Sequence, residues 1–129
     1  MSIKVRKISL KRVYNDPVVH NRLRFLTNGG WGRDHSLMYE SLYSGKIEHV
    51  WVAEDNSRTI VGWFCIIKNS PQNRIGSVYV ERKMRRRGIG KMLVSAGSKY
   101  RNLRGEEVTV YPWDTAGDRV YDASRFVIV

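Results

Sequence analysis

Ile3, Val5 and Ile8 alternate with basic residues near the start of the chain, a period of two that predicts a strand. Asn15-Asp16-Pro17 can cap and open a helix, and the apolar positions from Val18 to Leu26 continue it. Thr27-Asn28-Gly29-Gly30-Trp31-Gly32 then breaks the chain, and a second helix, started by Asp34 or Ser36, runs through Leu37, Tyr39, Leu42 and Tyr43 until Gly45 ends it. His49 to Ala53 and Ile60 to Ile67 are rich in β-branched and aromatic residues, and the turn-forming Glu54 to Arg58 between them makes a hairpin. After the turn Ser70-Pro71-Gln72-Asn73, Ile75 to Val80 reads as the third strand of a meander. Ile89, Met92, Leu93, Ala96 and Tyr100 recur at helical spacing, so Gly90 to Tyr100 is an amphipathic helix whose apolar face turns to a sheet, closed by Arg104-Gly105. Val108 to Tyr111 is a short strand, Asp114 to Phe126 holds a last short helix, and Val127 to Val129 has the length of a strand stub.

The chain has 129 residues, 42% of them hydrophobic, which suits one compact domain spanning residues 1–129 with a real core. Met1 to Arg12 lacks the continuous apolar segment of a leader and no later run reaches membrane-spanning length, so the expectation is a soluble, cytoplasmic protein with no membrane partner. The single cysteine, Cys65, excludes an internal disulfide framework and a cysteine-rich zinc site, and within Trp63-Phe64-Cys65-Ile66-Ile67 it reads as a buried structural thiol. His20, His35 and His49 show no metal-ligand spacing, so no metal is expected. The formal charge of +11 predicts attraction to polyanions: nucleic acid, an acidic protein face or a phosphorylated cofactor. No acidic residue occurs from Arg82 to Arg104, and Lys4, Arg6, Lys7, Lys11 and Arg12 form a second basic cluster.

The chemistry concentrates where the third strand of the meander ends. Val80-Glu81-Arg82-Lys83-Met84-Arg85-Arg86-Arg87-Gly88-Ile89-Gly90-Lys91 places cations and two glycines between a strand and an amphipathic helix. Such a junction exposes backbone N–H groups at the positive end of the helix dipole, and glycine lets an anion approach them. A dinucleotide fingerprint fits poorly because the third glycine is missing, and a P-loop fails because Gly90-Lys91 is followed by Met92 instead of Ser or Thr.

Arg85-x-x-Gly88-x-Gly90, following a strand and opening a helix, resembles the acetyl-CoA pyrophosphate loop of the GCN5-related N-acetyltransferase (GNAT) family. Val52 to Trp63, with Gly62 near the start of the outgoing strand, resembles that family's hairpin between its second and third strands. Val78-Tyr79-Val80 is similar to its fourth strand. Tyr121-x-x-x-x-Phe126 resembles its last-helix signature, with Arg125 where glycine is usual and Asp114 where the family often has asparagine. The likeness spans roughly Ile3 to Phe126.

The resemblance implies an α/β fold of the α+β mixed-sheet kind: a central, mostly antiparallel twisted sheet flanked by helices, with splayed fourth and fifth strands. It also implies long closing strands, which this chain would largely lack, so the expectation is a minimal version of the fold or a strand borrowed from a second copy as a homodimer. Acetyl-CoA would be the acyl donor. Val78, Tyr79 and Val80 would receive the pantetheine arm, the Arg85 to Gly90 backbone including Ile89 would bind the diphosphate, and Arg86, Arg87 and Lys91 would reach the outer phosphates, with Asp114 completing the set. Tyr121 would be the general acid that protonates the departing thiolate. Glu81 would be the base, or would neutralise the adjacent arginines; Glu54 and His49 are lower-ranked bases. Trp31, Arg33 and His35 would contact the acceptor, with Trp113 on the other side. The acceptor amine stays open among a protein, a small molecule and a nucleic-acid-linked amine, the basic surface favouring something anionic. The competing reading is a non-catalytic basic module that holds nucleic acid on the same fold.

Overall fold

A computed structural model describes residues 2–27, 36–68, 74–104, 108–110 and 127–128. The predicted first strand is β1 (Lys4–Ile8), and the helix expected from Val18 is preceded by a separate short one. Ser9 caps α1 (Leu10–Asn15), its hydroxyl accepting from the Arg12 N–H at 3.1 Å. Asp16 then interrupts and restarts the helix, because its carboxylate accepts from the Val18 and Val19 N–H groups at 3.0 and 3.4 Å ahead of Pro17, which opens α2 (Pro17–Thr27). α3 (Ser36–Ser44) ends at Gly45, whose φ of +72° is the left-handed conformation that terminates helices.

β2 (Ile47–Glu54) and β3 (Ile60–Lys68) form the expected hairpin. The Asp55 carboxylate closes its turn by accepting from Ser57 and Thr59 N–H at 2.9 and 3.0 Å. β4 (Arg74–Val80) continues the meander antiparallel, and β1 pairs antiparallel with β2, so four strands form one antiparallel sheet. β5 (Val108–Val110) and β6 (Val127–Ile128) join in parallel, giving the order β1-β2-β3-β4-β5-β6. A short 3-10 turn, Arg82–Met84, leads from β4 into α4 (Ile89–Arg104), which extends beyond the predicted Gly90 to Tyr100. The last helix expected over Asp114 to Phe126 lies outside the described residues.

Strand alternation divides the core into two layers. Val50, Val52, Trp63, Cys65 and Tyr79 face α1, α2 and α3 through Val13, Leu23, Met38 and Leu42. Trp51, Phe64, Ile66 and Val78 face the other way, onto Ile89, Leu93 and Val94 of α4 with Met84. Because both faces of β3 are covered, Ile60 to Ile67 are buried without a break, which explains why its sequence reads as a continuous apolar run. Among the described residues no helix is long and apolar enough to cross a membrane.

Candidate active site

The parallel ladder between β4 and β5 covers only Arg74, Gly76 and the residue between them, opposite Val108 to Val110. Beyond Gly76, Ser77 to Val80 have no strand partner on that side among the described residues. The other edge of β4 stays zipped to β3 up to Val80, and the Glu81 N–H extends it by donating to the Val61 carbonyl at 2.8 Å. In an antiparallel ladder successive residues turn their backbone groups to opposite edges, so the N–H and C=O groups of Val78 and Val80 point to the edge beyond β5's ladder. Arg85 fits that orientation: its Nε donates to the Val80 carbonyl at 2.9 Å while its guanidinium lies over the Tyr79 ring, 5.3 Å from the centroid. The side chain of the first motif residue is therefore folded back onto the strand end, while its backbone begins the loop.

Two apolar anchors hold that loop. Met84 and Ile89 are buried in the α4 layer, and between them Arg86, Arg87 and Gly88 are exposed, as is Lys91 one residue into the helix beyond Gly90. Arg86 and Gly88 both adopt left-handed backbone, with φ of +66° and +79°. A Cβ built at Gly88 meets nothing within 4 Å among the described residues, so glycine supplies conformation at this point. The Gly88 carbonyl accepts the Met92 N–H at 3.0 Å, which makes Gly88 the N-cap of α4. The N–H groups of the first turn therefore have no acceptor within the helix and share its positive end. These features suit a phosphorylated ligand lying along the loop.

Glu81 stands where β4 enters the loop. Its Oε2 accepts from Arg22 NH2 at 2.8 Å and its Oε1 lies 3.4 Å from Lys83 Nζ, with the Arg22 and Glu81 side chains 24% and 20% exposed. Glu81 is therefore ion-paired chiefly to a cation on α2 instead of to the adjacent arginines. Glu54, a lower-ranked base, is likewise engaged, by both Nε and NH2 of Arg6. His49 lies on β2, its ring 6.1 Å from that of Trp51. Tyr121, Asp114, Trp113, Trp31, Arg33 and His35 lie outside the described residues.

Two features escape the sequence reading. Arg22 is one of many arginines in a basic chain, and only the fold shows that it bridges α2 to β3 and β4. Ser77 is fully buried on β4 with no hydrogen-bond partner for its hydroxyl among the described residues, and the same holds for Trp63 Nε1 on β3. They sit diagonally on the face toward α2 and α3, since Trp63 pairs with Tyr79 and Cys65 with Ser77. A serine immediately before the apolar stretch Val78-Tyr79-Val80 was the available signal. A cleft of about 560 Å³ opens elsewhere, against α2 and the β2–β3 turn, lined by residues including Arg12, Asp16, Arg22, Phe25, Glu54 and Arg58. Four of these six are already ion-paired, Arg12 with Asp16, Arg22 with Glu81 and Glu54 with Arg6.

The acetyltransferase (GNAT) domain family matches residues 46–125, and the chain belongs to that family. No curated protein matches the chain. Among solved structures it is similar to a GNAT acetyltransferase from Brucella melitensis in complex with acetyl-CoA, at 13% identity and a TM-score of 0.67 over 93% of this chain and 81% of that one. It is also similar to aminoglycoside N-acetyltransferase AAC(6')-Iy in complex with CoA, at 14% identity and a TM-score of 0.63 over 97% and 88% of the two chains. The N-acetyltransferase YhbS from Escherichia coli in complex with CoA gives 17% identity and a TM-score of 0.62 over 81% of this chain, which spans 58% of that protein's length. At these identities the likeness establishes the fold.

Proposed function

We propose that the protein transfers an acetyl group from acetyl-CoA to a primary amine, and that the strand end, loop and first turn of α4 hold the donor. The observation that carries this reading is the conjunction, in a member of this family, of the β4 edge beyond Gly76 with left-handed Gly88 at the head of α4. The Val78 N–H and C=O and the Val80 N–H receive the amide-bearing arm of CoA as an added strand would be received, the Val80 carbonyl being already bonded to Arg85. The loop N–H groups take the diphosphate, and exposed Arg86, Arg87 and Lys91 meet the outer phosphates. Bound acetyl-CoA supplies the activated thioester.

This chain's part in the reaction is positioning, polarisation and one proton. A backbone N–H near Val80 polarises the acyl carbonyl, which is worth most where charge develops on oxygen. Tyr121 is assigned as the acid that gives its phenolic proton to the leaving sulfur. The amine must present a lone pair, and a free lysine, with a pKa of about 10.4, is mostly protonated at neutral pH, so its proton passes to a base or a water chain before attack. Residues 28–35, with Trp31, Arg33 and His35, receive the acceptor, and the net charge of +11 favours an acceptor that is anionic or carried on an anionic molecule.

Calorimetric titration with acetyl-CoA, and separately with a short mixed-sequence nucleic acid at near-physiological salt, tests the proposal. Saturable cofactor binding, lost in Gly88→Glu because bulk and negative charge then face the diphosphate, is the expected result. Nucleic-acid binding without cofactor binding would overturn it in favour of a basic binding module.

A further inference from the structure

We infer that Arg22, on α2, is a positioning residue for the cofactor loop. The inference rests on the acetyl-CoA reading above. Arg22 divides its guanidinium between two strands: Nε donates to the Ile60 carbonyl at the start of β3 at 2.8 Å, and NH2 donates to Glu81 just beyond β4, also at 2.8 Å. It reaches across the sheet from a helix 59 residues earlier in the chain, and its guanidinium lies 5.4 Å from the Phe25 ring centroid on the same helix.

The place it grips is the last point at which the strand end is still held by the sheet. Glu81 is tied by its own N–H to Val61, and Val80 by its carbonyl to Arg85, so Val80 and Glu81 are fixed from β3, from α2 and from the loop itself. Past them the chain turns through Arg82 to Met84 and enters the left-handed residues Arg86 and Gly88. A rotation at Glu81 would re-aim every backbone N–H that follows. Arg22 limits that rotation because its planar guanidinium, anchored through Nε on the Ile60 carbonyl, presents one N–H to the Glu81 carboxylate in a fixed direction.

A second consequence follows from α2 itself. The helix ends at Thr27, five residues after Arg22, and leads into residues 28–35, where the acceptor is proposed to bind. The Arg22–Glu81 pair therefore ties the helix feeding the acceptor segment to the strand feeding the donor loop. Arg22 touches neither ligand in this assignment.

The test measures acetyl-CoA affinity by calorimetry in the wild type, Arg22→Ala, Arg22→Lys, Glu81→Gln, Glu81→Ala and Arg22→Ala/Glu81→Ala, with thermal unfolding of each. A comparable ion pair away from the loop, Arg6 with Glu54, supplies the control variant Arg6→Ala. The expected outcome is about a tenfold loss of affinity in Arg22→Ala and in Glu81→Ala, of the size seen when coupled positions are broken, with little more in the double variant. Arg22→Lys should recover part of the loss by restoring the charge but not the bond to Ile60, Glu81→Gln should stay near wild type because its amide oxygen still accepts from Arg22, and Arg6→Ala should lower the melting temperature without changing affinity. If Arg22→Ala does not fold, Arg22→Lys and Glu81→Gln decide, a wild-type affinity in Arg22→Lys overturning the two-bond account. Folded Arg22→Ala binding acetyl-CoA as tightly as wild type, or an equal loss in Arg6→Ala, would overturn the proposal. A wild type that does not bind acetyl-CoA would instead remove the reading it rests on.

Discussion

Gly97, in the middle of α4, and Gly88, at its head, are glycines for opposite reasons. A Cβ at Gly97 would lie 2.1 Å from Phe64 Cε1 and 2.6 Å from Cδ1, so the helix rests directly on the β3 ring and the residue is chosen for space. A Cβ at Gly88 meets nothing within 4 Å among the described residues, while φ is +79°, so that residue is chosen for backbone conformation. The contrast extends to the regions around them. The sheet and its covering helix are close-packed and respond to volume, whereas the loop is exposed and responds to dihedral angle and charge.

The largest effect should come from breaking the packed side. Gly97→Val forces α4 off Phe64, and overpacking of this kind costs about 3 kcal/mol, lowering the melting temperature by roughly 10 °C. Thermal and denaturant unfolding measure it. Adding Phe64→Leu, which withdraws the ring edge, should recover part of the loss, because contacting residues do not behave additively. If the double variant is as unstable as the sum of its parts, the helix is not seated on that ring.

How much of this was legible in the sequence follows the same division. The hairpin, β4 and α4 were readable because their apolar periodicity is dictated by the layers they pack against, and Asp16-Pro17 and Gly45 announced helix ends through local backbone chemistry. α1 was missed because its six residues bury only Val13 and leave no amphipathic period to detect. At the site, the glycine loop was legible because backbone conformation demands a residue type. The Arg22 bridge to Glu81 was not, since a contact over 59 residues leaves no local trace and a basic chain offers many equivalent arginines. The fold-back of Arg85 onto Val80 was hidden for a related reason: a motif arginine beside a phosphate loop looks like a phosphate ligand until its Nε is seen on a carbonyl.

The exposed side of the comparison is sharpened by Arg86. Its φ of +66° is left-handed backbone on a residue with a Cβ, a conformation costing about 1–2 kcal/mol relative to the right-handed one. Arg86→Gly removes that strain and adds unfolded-state entropy of about 0.5–1 kcal/mol, so the net should be a stabilisation of about 0.5 kcal/mol or slightly more. Losing the cation should at the same time weaken acetyl-CoA binding two- to threefold, more at low salt than at high salt. Stability and affinity thus move in opposite directions at Arg86. Parallel losses in both would mean that the Arg86 side chain packs on the loop instead of serving a ligand.

Cys65 tests the packed side by its electrostatics, with the smallest effect. It is fully buried on β3, and burial pushes the thiol well above its ordinary value of 9.0, because the thiolate would have to form in an apolar layer. A folded value raised above the unfolded one means that both states stay protonated below about pH 8, where Cys65 adds no pH dependence to stability. As pH rises through the unfolded value the unfolded chain ionises first, and stability falls by only about 0.4 kcal/mol at pH 9, steepening above it. Comparing denaturant midpoints of wild type and Cys65→Ala between pH 7 and 10 isolates that slope, which the variant should lack. Iodoacetamide at pH 8 should leave the folded thiol unmodified and label it within minutes in denaturant. Rapid labelling of the folded protein would show that the layer between β3 and the helices opens readily, and the division between a close-packed sheet and an exposed loop would fail at its centre.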